Sequence, residues 1–164
     1  MARDQQFRTY PNAAGIHDAL GALRVRGRTL VTTNGCFDLL HAGHVQYLYE
    51  AAAMGDILVV GVNCDAVVRK HKGPKRPLQN EADRCMLVAA LRMVDYAFIF
   101  HEDDPRAFLD ILKPDIHVKG GDYDAESIIE KPVVERGGGV VRTVPFLQGR
   151  STSQLVARCR DAGE

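Results

Sequence analysis

Charge of one sign is what this sequence most plainly lacks. Its 164 residues carry 21 Lys and Arg against 21 Asp and Glu, for a formal net charge of zero. Nucleic-acid coats and membrane-surface proteins usually show a large basic excess, so neither nucleic acid nor membrane is expected as a partner. A local basic cleft is still compatible with neutrality. No apolar run approaches the ~20 residues of a membrane span. The first segment, Met1 to Pro11, is polar and lacks the apolar core of a secretion signal, so the expected location is the cytoplasm. Cysteine is sparse and scattered, at Cys36, Cys64, Cys85 and Cys159, with no Cys-x-x-Cys pair. That spacing argues against a structural zinc site and for free thiols in a reducing compartment. No Gly-x-x-x-x-Gly-Lys-Ser/Thr string occurs, which excludes P-loop chemistry. Internal repeats and low-complexity segments are also missing.

What is present is an alternation of short β-branched runs with helical stretches, the pattern of a doubly wound parallel-sheet α/β domain. A chain of this length can bury roughly 70% of its extended surface, enough for one domain without staples. Residues 1–27 read as an N-terminal helical extension, with Ile16, Leu20 and Leu23 on one helix face over 16–25, and residues 28–164 as the main domain. Arg28 to Thr33 reads as a strand ending in the turn Asn34-Gly35. A helix over 43–54 follows, then the apolar run Ile57 to Val62, typical of a strand covered on both faces. Residues 69–79 read as a basic loop with Pro and Gly. A helix is predicted over 81–94, with Asn80 as its N-cap and Met86, Leu87, Ala90 and Leu91 as its buried stripe. Strands are expected at Tyr96–Phe100, Ile116–Lys119 and Val140–Val144. Pro105 opens a helix running to Leu112, and Ser151 with Gln154 forms a capping box for a last helix. In such sheets ligands sit beyond the carboxyl ends of the strands, where Asn34, Asn63, His101 and Gly120 should converge.

Four segments could carry chemistry. The first is Thr33 to His44, reading TTNGCFDLLHAGH from Thr32, in which Asn34, Gly35, Cys36, Phe37 and Gly43 surround the pair His41 and His44. Glycines permit close backbone approach, a helix N-terminus attracts anions, and two histidines three apart face the same way. Both could donate to phosphoryl oxygens as charge grows. The plainer reading is that one histidine caps the loop and the other packs. A zinc pair also fits the spacing, but no third ligand is evident, so no metal held by protein side chains is expected. The second segment is the basic loop with Arg69, Lys70, Lys72, Lys75 and Arg76, which is either solvated or the cation-rich mouth of a polyphosphate site. The third is Val118-Lys119-Gly120-Gly121-Asp122-Tyr123, a tight turn that can place a lysine beside phosphate. The fourth is Gly149-Arg150-Ser151-Thr152-Ser153, whose exposed amides and hydroxyls suit both a cap and a phosphate cradle.

The string TTNGCFDLLHAGH resembles the signature of the cytidylyltransferase-like superfamily of His-x-Gly-His nucleotidyltransferases. With LKPDIHVKGGDY and GRSTSQLV added, the chain is similar to the adenylyltransferases of ADP-heptose synthesis from about Arg28 to Arg160. The resemblance implies transfer of AMP from ATP, with Mg²⁺, to D-glycero-β-D-manno-heptose 1-phosphate for lipopolysaccharide. It implies catalytic roles for His41, His44 and Lys119. Asn34, Gly35, Cys36, Phe37, Gly43, Lys70, Lys72, Arg84, Gly120, Ser151, Thr152 and Ser153 would bind the nucleotide and its phosphates, while Asp38 and Asp122 would meet the acceptor. A separate heptose kinase would supply the 1-phosphate, and a homodimer or higher homo-oligomer is expected. The resemblance leaves room for a CTP-dependent glycerol 3-phosphate enzyme, a flavin mononucleotide adenylyltransferase and a non-catalytic nucleotide-binding regulator. The KGGDY segment points to the heptose branch.

Overall fold

A computed structural model of the chain describes residues 9–24, 26–121, 127–145, 149 and 152–161. Six parallel strands form one sheet: β1 (Thr9–Tyr10), β2 (Leu30–Gly35), β3 (Ile57–Asn63), β4 (Tyr96–Phe100), β5 (Ile116–Gly120) and β6 (Val140–Val144). Their spatial order is β1-β4-β3-β2-β5-β6. The expected doubly wound α/β architecture is therefore present. All seven residues of β3 are buried, as a strand with helices on both faces requires. From β2 the chain builds outward to β3 and β4 on one side, where the earlier β1 forms the edge beyond β4. It builds to β5 and β6 on the other. The switch in winding direction falls between β2 and β5, and the crevice beyond the carboxyl ends of those two strands is where this architecture binds ligands.

One face is covered by α2 (Ala42–Ala52) and α4 (Glu81–Ala89), through Tyr47, Leu48, Ala51, Cys85 and Val88. The other is covered by α1 (Ala13–Arg24), α5 (Arg106–Leu112) and α6 (Lys131–Arg136), through Ile16, Leu20, Phe108, Leu109, Leu112 and Val134. Two further helices, α3 (Asp65–Lys72) and α7 (Thr152–Asp161), flank the carboxyl edge of the sheet. Residues 9–24 join the same core, with β1 pairing to β4 and Ile16 and Leu20 fully buried. No helix of the described residues is long and apolar enough to cross a membrane.

Several sequence expectations need correction. Asn34 and Gly35 are not a turn but the last residues of β2, paired with Gly61 and Val62. Arg69, Lys70 and Lys72 lie in the last turn of α3 rather than in a loop, where cations complement the helix dipole. The 81–94 helix stops at Ala89, and its buried face is Arg84, Cys85 and Val88, while Met86 and Leu87 are 46% and 40% exposed. That face turns inward because Arg84 satisfies strand-end carbonyls, as described below. Asn80 does cap this helix, accepting a hydrogen bond from the Asp83 amide. Strand β1 and helix α6 are too short to show a period in the sequence. Ser151 lies outside the described residues, and the last helix is described from Thr152.

Candidate active site

The histidine pair stands where β2 gives way to α2. Between them the backbone turns sharply, and Phe37 takes a left-handed conformation with φ 47°. That conformation costs a bulky residue about 1–2 kcal/mol and marks a turn that its surroundings enforce. The Phe37 ring is buried rather than open to a ligand. It lies where a Cβ on Gly35 would come within 3.0 Å of it, and its centroid is 5.3 Å from that of His44. His41 occupies the N-cap position of α2, and its carbonyl receives the His44 and Val45 amides at 2.9 and 3.2 Å. Its side chain makes no capping bond, whereas the His44 ring bonds the loop backbone at Leu39 and lies against Phe37.

The two rings stack with centroids 3.8 Å apart and planes 25° apart. The Nδ1 atoms of both are buried and without a partner, as are Asn34 Oδ1 and Gln79 Oε1. Buried polar atoms are nearly always paired, so four such atoms around one loop call for an explanation beyond folding. Burial, then the neighbouring His41 and Lys72, lower the His44 pKa to about 4. Burial also lowers that of His41. Both rings are therefore neutral near pH 7 with one N–H each, and that of His44 donates to the Leu39 carbonyl, which leaves its buried Nδ1 as an acceptor. Stacked this closely, they could not both carry charge without strong repulsion.

Arg84 is fully buried and holds the loop from beneath. It donates to the Cys36 carbonyl, to the Asn63 carbonyl at 2.7 Å, to the Gln79 carbonyl at 3.0 Å and to Asp65 at 2.7 Å. The planar fork of an arginine suits several fixed acceptors at once. The residue expected to hold phosphate is thus engaged with the ends of β2 and β3. Asp38 is similarly committed: its buried carboxylate receives Arg76 Nη1 at 2.5 Å and the Leu78 and Gln79 amides at 2.6 and 3.3 Å. It anchors the segment after α3 to the histidine loop instead of facing outward.

The two lysines at the end of α3 separate. Lys70 is exposed and pairs with Asp103 at 2.5 Å, whereas Lys72 is close enough to act on the charge of His44. At the end of β5, Lys119 meets Glu130 at 2.6 Å, with Glu130 almost wholly buried. Gly120 closes β5, and the Gly121 amide donates to the Val144 carbonyl at 2.8 Å. On the other flank, Thr152 opens α7 and its hydroxyl donates to the Leu39 carbonyl at 3.5 Å. A cavity of about 480 Å³ opens between Leu40, His41 and Ala42 on one side and Gln154, Leu155 and Arg158 of α7 on the other. His41, His44, Lys72, Thr152 and the exposed Ser153 therefore belong to one region, while Lys70 turns away. Ser151 and Asp122 lie outside the described residues. Sequence reasoning missed Glu130 and Tyr47; the hint for Tyr47 was its i+3 spacing from His44.

His117, fully buried in β5, bonds through Nδ1 to the Thr32 hydroxyl at 2.9 Å. Burial, then the nearby Lys119, lower its pKa to about 3. Above pH 6.5 the ring is neutral folded and unfolded alike. Below that, the unfolded chain takes up a proton that the folded chain refuses, so stability falls with pH. At pH 5 the loss from this ring is about 2 kcal/mol relative to pH 7.5. An NMR titration should find the His117 ring neutral down to pH 5, and a midpoint near 6.5 would contradict the assignment.

No group of three or more His, Cys, Asp or Glu among the described residues could hold a metal ion. Among the described residues, the carboxylates of Asp38 and Glu130 are engaged with Arg76 and Lys119. The donor set of the described residues does not build a resident cation site.

The stacked histidine pair thus stands at a helix start beside the winding switch of a parallel sheet, where such sheets bind their ligands. The Cytidylyltransferase-like family matches residues 32–152. Bifunctional protein HldE of Syntrophotalea carbinolica is 49% identical over 149 residues, covering 91% of this chain and 30% of the relative. HldE of Citrifermentans bemidjiense is 53% identical over 133 residues, covering 81% and 27%. This chain thus spans about 30% of the length of the curated relatives it matches. Among solved structures, the lipopolysaccharide core biosynthesis protein of Thermoplasma volcanium aligns with a TM-score of 0.64 at 33% identity, covering 76% of this chain and 100% of that one. Pantoate-beta-alanine ligase of Francisella tularensis, at 15% identity and TM-score 0.61 over 90% of this chain and 69% of that one, shares the fold. The chain belongs to the cytidylyltransferase-like family of nucleotidyltransferases.

Proposed function

We propose that the chain transfers AMP from ATP to D-glycero-β-D-manno-heptose 1-phosphate, giving ADP-heptose and pyrophosphate. The observation that carries nucleotidyl transfer is the set of unpartnered buried polar atoms of Asn34, His41, His44 and Gln79 at the switch crevice. They are donors and acceptors held ready at no further cost in reorganisation. The sugar rests on the Lys119 to Tyr123 segment, on HldE relatives near 50% identity, and on the structural relative from lipopolysaccharide core synthesis.

A sugar-phosphate oxygen attacks the α-phosphorus of ATP. A bond forms from that oxygen to phosphorus, the bond from phosphorus to the bridging oxygen breaks, and pyrophosphate leaves. The nucleophile is already anionic near neutral pH, so no strong base and no covalent enzyme intermediate is needed. Catalysis is positioning with charge neutralisation. The imidazole of His41 donates its N–H to a triphosphate oxygen, and the nucleotide's negative charge favours uptake of one proton by the stacked pair, which gives His44 Nδ1 a hydrogen to donate. Lys72, Lys119 and the first turn of α7 at Thr152 and Ser153 hold the remaining phosphates. A kinase activity, on this or another polypeptide, must supply the sugar 1-phosphate, and the expected compartment is the cytoplasm. The test is pyrophosphate release with each triphosphate paired with each phosphorylated acceptor. Turnover with ATP and heptose 1-phosphate supports the reading, and turnover confined to CTP would overturn it.

A further inference from the structure

We propose that Tyr47 is a positioning residue for the transfer reaction, its hydroxyl fixing the distance between the helix that carries His44 and the strand that carries Lys119. Tyr47 follows His44 by three residues on α2, so both project from one side of the helix. The ring is buried in the core beneath the site. Its hydroxyl lies 2.9 Å from the Val118 carbonyl and 2.5 Å from Thr33 Oγ1. A phenol has one hydrogen and the carbonyl can only accept, so that hydrogen goes to Val118. Thr33 must then donate its own hydrogen to the phenol oxygen. The result is a directed chain from β2 through α2 to β5.

Its place in the sheet gives this chain its meaning. β2 and β5 are paired from Val31 with Ile116 to Thr33 with Val118, and the pairing stops there. The next residues along the two strands are Asn34 and Lys119, one at the histidine loop and the other at the lysine turn. Tyr47 therefore bonds both members of the last rung before the strands part around the site. Ordinary core packing would need only the ring; the two hydroxyl bonds fix the rung to the histidine helix. Burial holds the phenol protonated far above any working pH, so the donor is permanent. Glu130, the partner of Lys119, is near enough to act on the same phenol, which puts the strut next to the lysine it orients.

The inference rests on the reading of His44 and Lys119 as phosphate-holding groups. The experiment measures pyrophosphate release by the full chain over a range of ATP concentrations at saturating heptose 1-phosphate for Tyr47→Phe, Thr33→Val, Thr33→Ser, Lys119→Ala and the Tyr47→Phe/Lys119→Ala pair. Small misplacements of catalytic groups cost large factors in rate, so Tyr47→Phe should lower kcat by about 10-fold or more while the KM for ATP moves by less than about 3-fold. Thr33→Ser should match the parent and Thr33→Val should not. Because Tyr47 acts through Lys119, Tyr47→Phe should cost less than about 2-fold once Lys119 is alanine. Parental kcat in a folded Tyr47→Phe protein, or its full loss repeated in the Lys119→Ala background, would overturn the proposal. If Tyr47→Phe does not fold, the two Thr33 variants decide: equal kcat in both overturns it, and a loss only in Thr33→Val supports it. A parent chain silent with every substrate pair would overturn the functional reading, and this inference would fall with it.

Discussion

Replacing His44 with alanine is expected to lower turnover at saturating substrates by about 10²–10³-fold, the cost of removing one donor aimed at developing phosphoryl charge. The fold should survive. His44 takes no part in capping α2, its Nδ1 satisfies no protein group, and the Leu39 carbonyl that its ring bonds also accepts from the Thr152 hydroxyl. Its removal even relieves a liability. The folded pKa of about 4 lies below the ordinary value of 6.5. Above pH 6.5 the ring is therefore neutral in both states and adds nothing to pH dependence. Between 6.5 and 4 the unfolded chain binds a proton that the folded chain excludes, and stability drains away as pH falls. His44→Ala should keep more of its stability at pH 5 than the parent does. Urea unfolding at pH 7.5 and pH 5, run beside the turnover assay, checks both statements. Near-parental turnover in a folded variant would remove His44 from the mechanism.

The second large effect belongs to Arg84. Arg84→Met should destabilise the protein by about 3–5 kcal/mol, because it leaves a carboxylate and three carbonyls without their buried partner. Against a total stability of about 5–15 kcal/mol, that is a large share. Arg84→Lys should recover little of it, since one ammonium cannot span Cys36, Asn63, Gln79 and Asp65 together. The measurement is the denaturation midpoint, followed by the KM for ATP at a temperature where the variant is folded. Unchanged stability with a raised KM would show that Arg84 binds phosphate directly, and would contradict the buried bonding seen here.

These two residues show what the sequence made legible and what it did not. His41 and His44 stand out because their spacing, the flanking glycine and the strand-to-helix junction are local facts. The sheet was legible for the same reason: β-branched runs such as Ile57 to Val62 declare themselves within a few residues. Arg84, Asp38 and Glu130 do not, because their roles depend on partners 48, 40 and 11 residues away. A charged residue on a predicted helix reads as exposed or substrate-facing. Only the tertiary contacts reveal that its charge is spent inside the protein. The misplaced stripe of the 81–94 helix follows from the same blindness. Met86 and Leu87 look like core from composition, and the buried arginine beside them turns the helix the other way. The lysines of the 69–79 segment were legible as a cluster, but not as one cation near His44 and another bound to Asp103.

The central claim is that the histidine crevice transfers a nucleotidyl group onto a sugar 1-phosphate. Its most direct test is release of pyrophosphate by the purified chain, measured with ATP, CTP, GTP and UTP against heptose 1-phosphate, glycerol 3-phosphate and flavin mononucleotide. The expected result is turnover with ATP and heptose 1-phosphate, lost in His44→Ala. Turnover only with CTP, or nucleotide binding without pyrophosphate in every pairing, would contradict it.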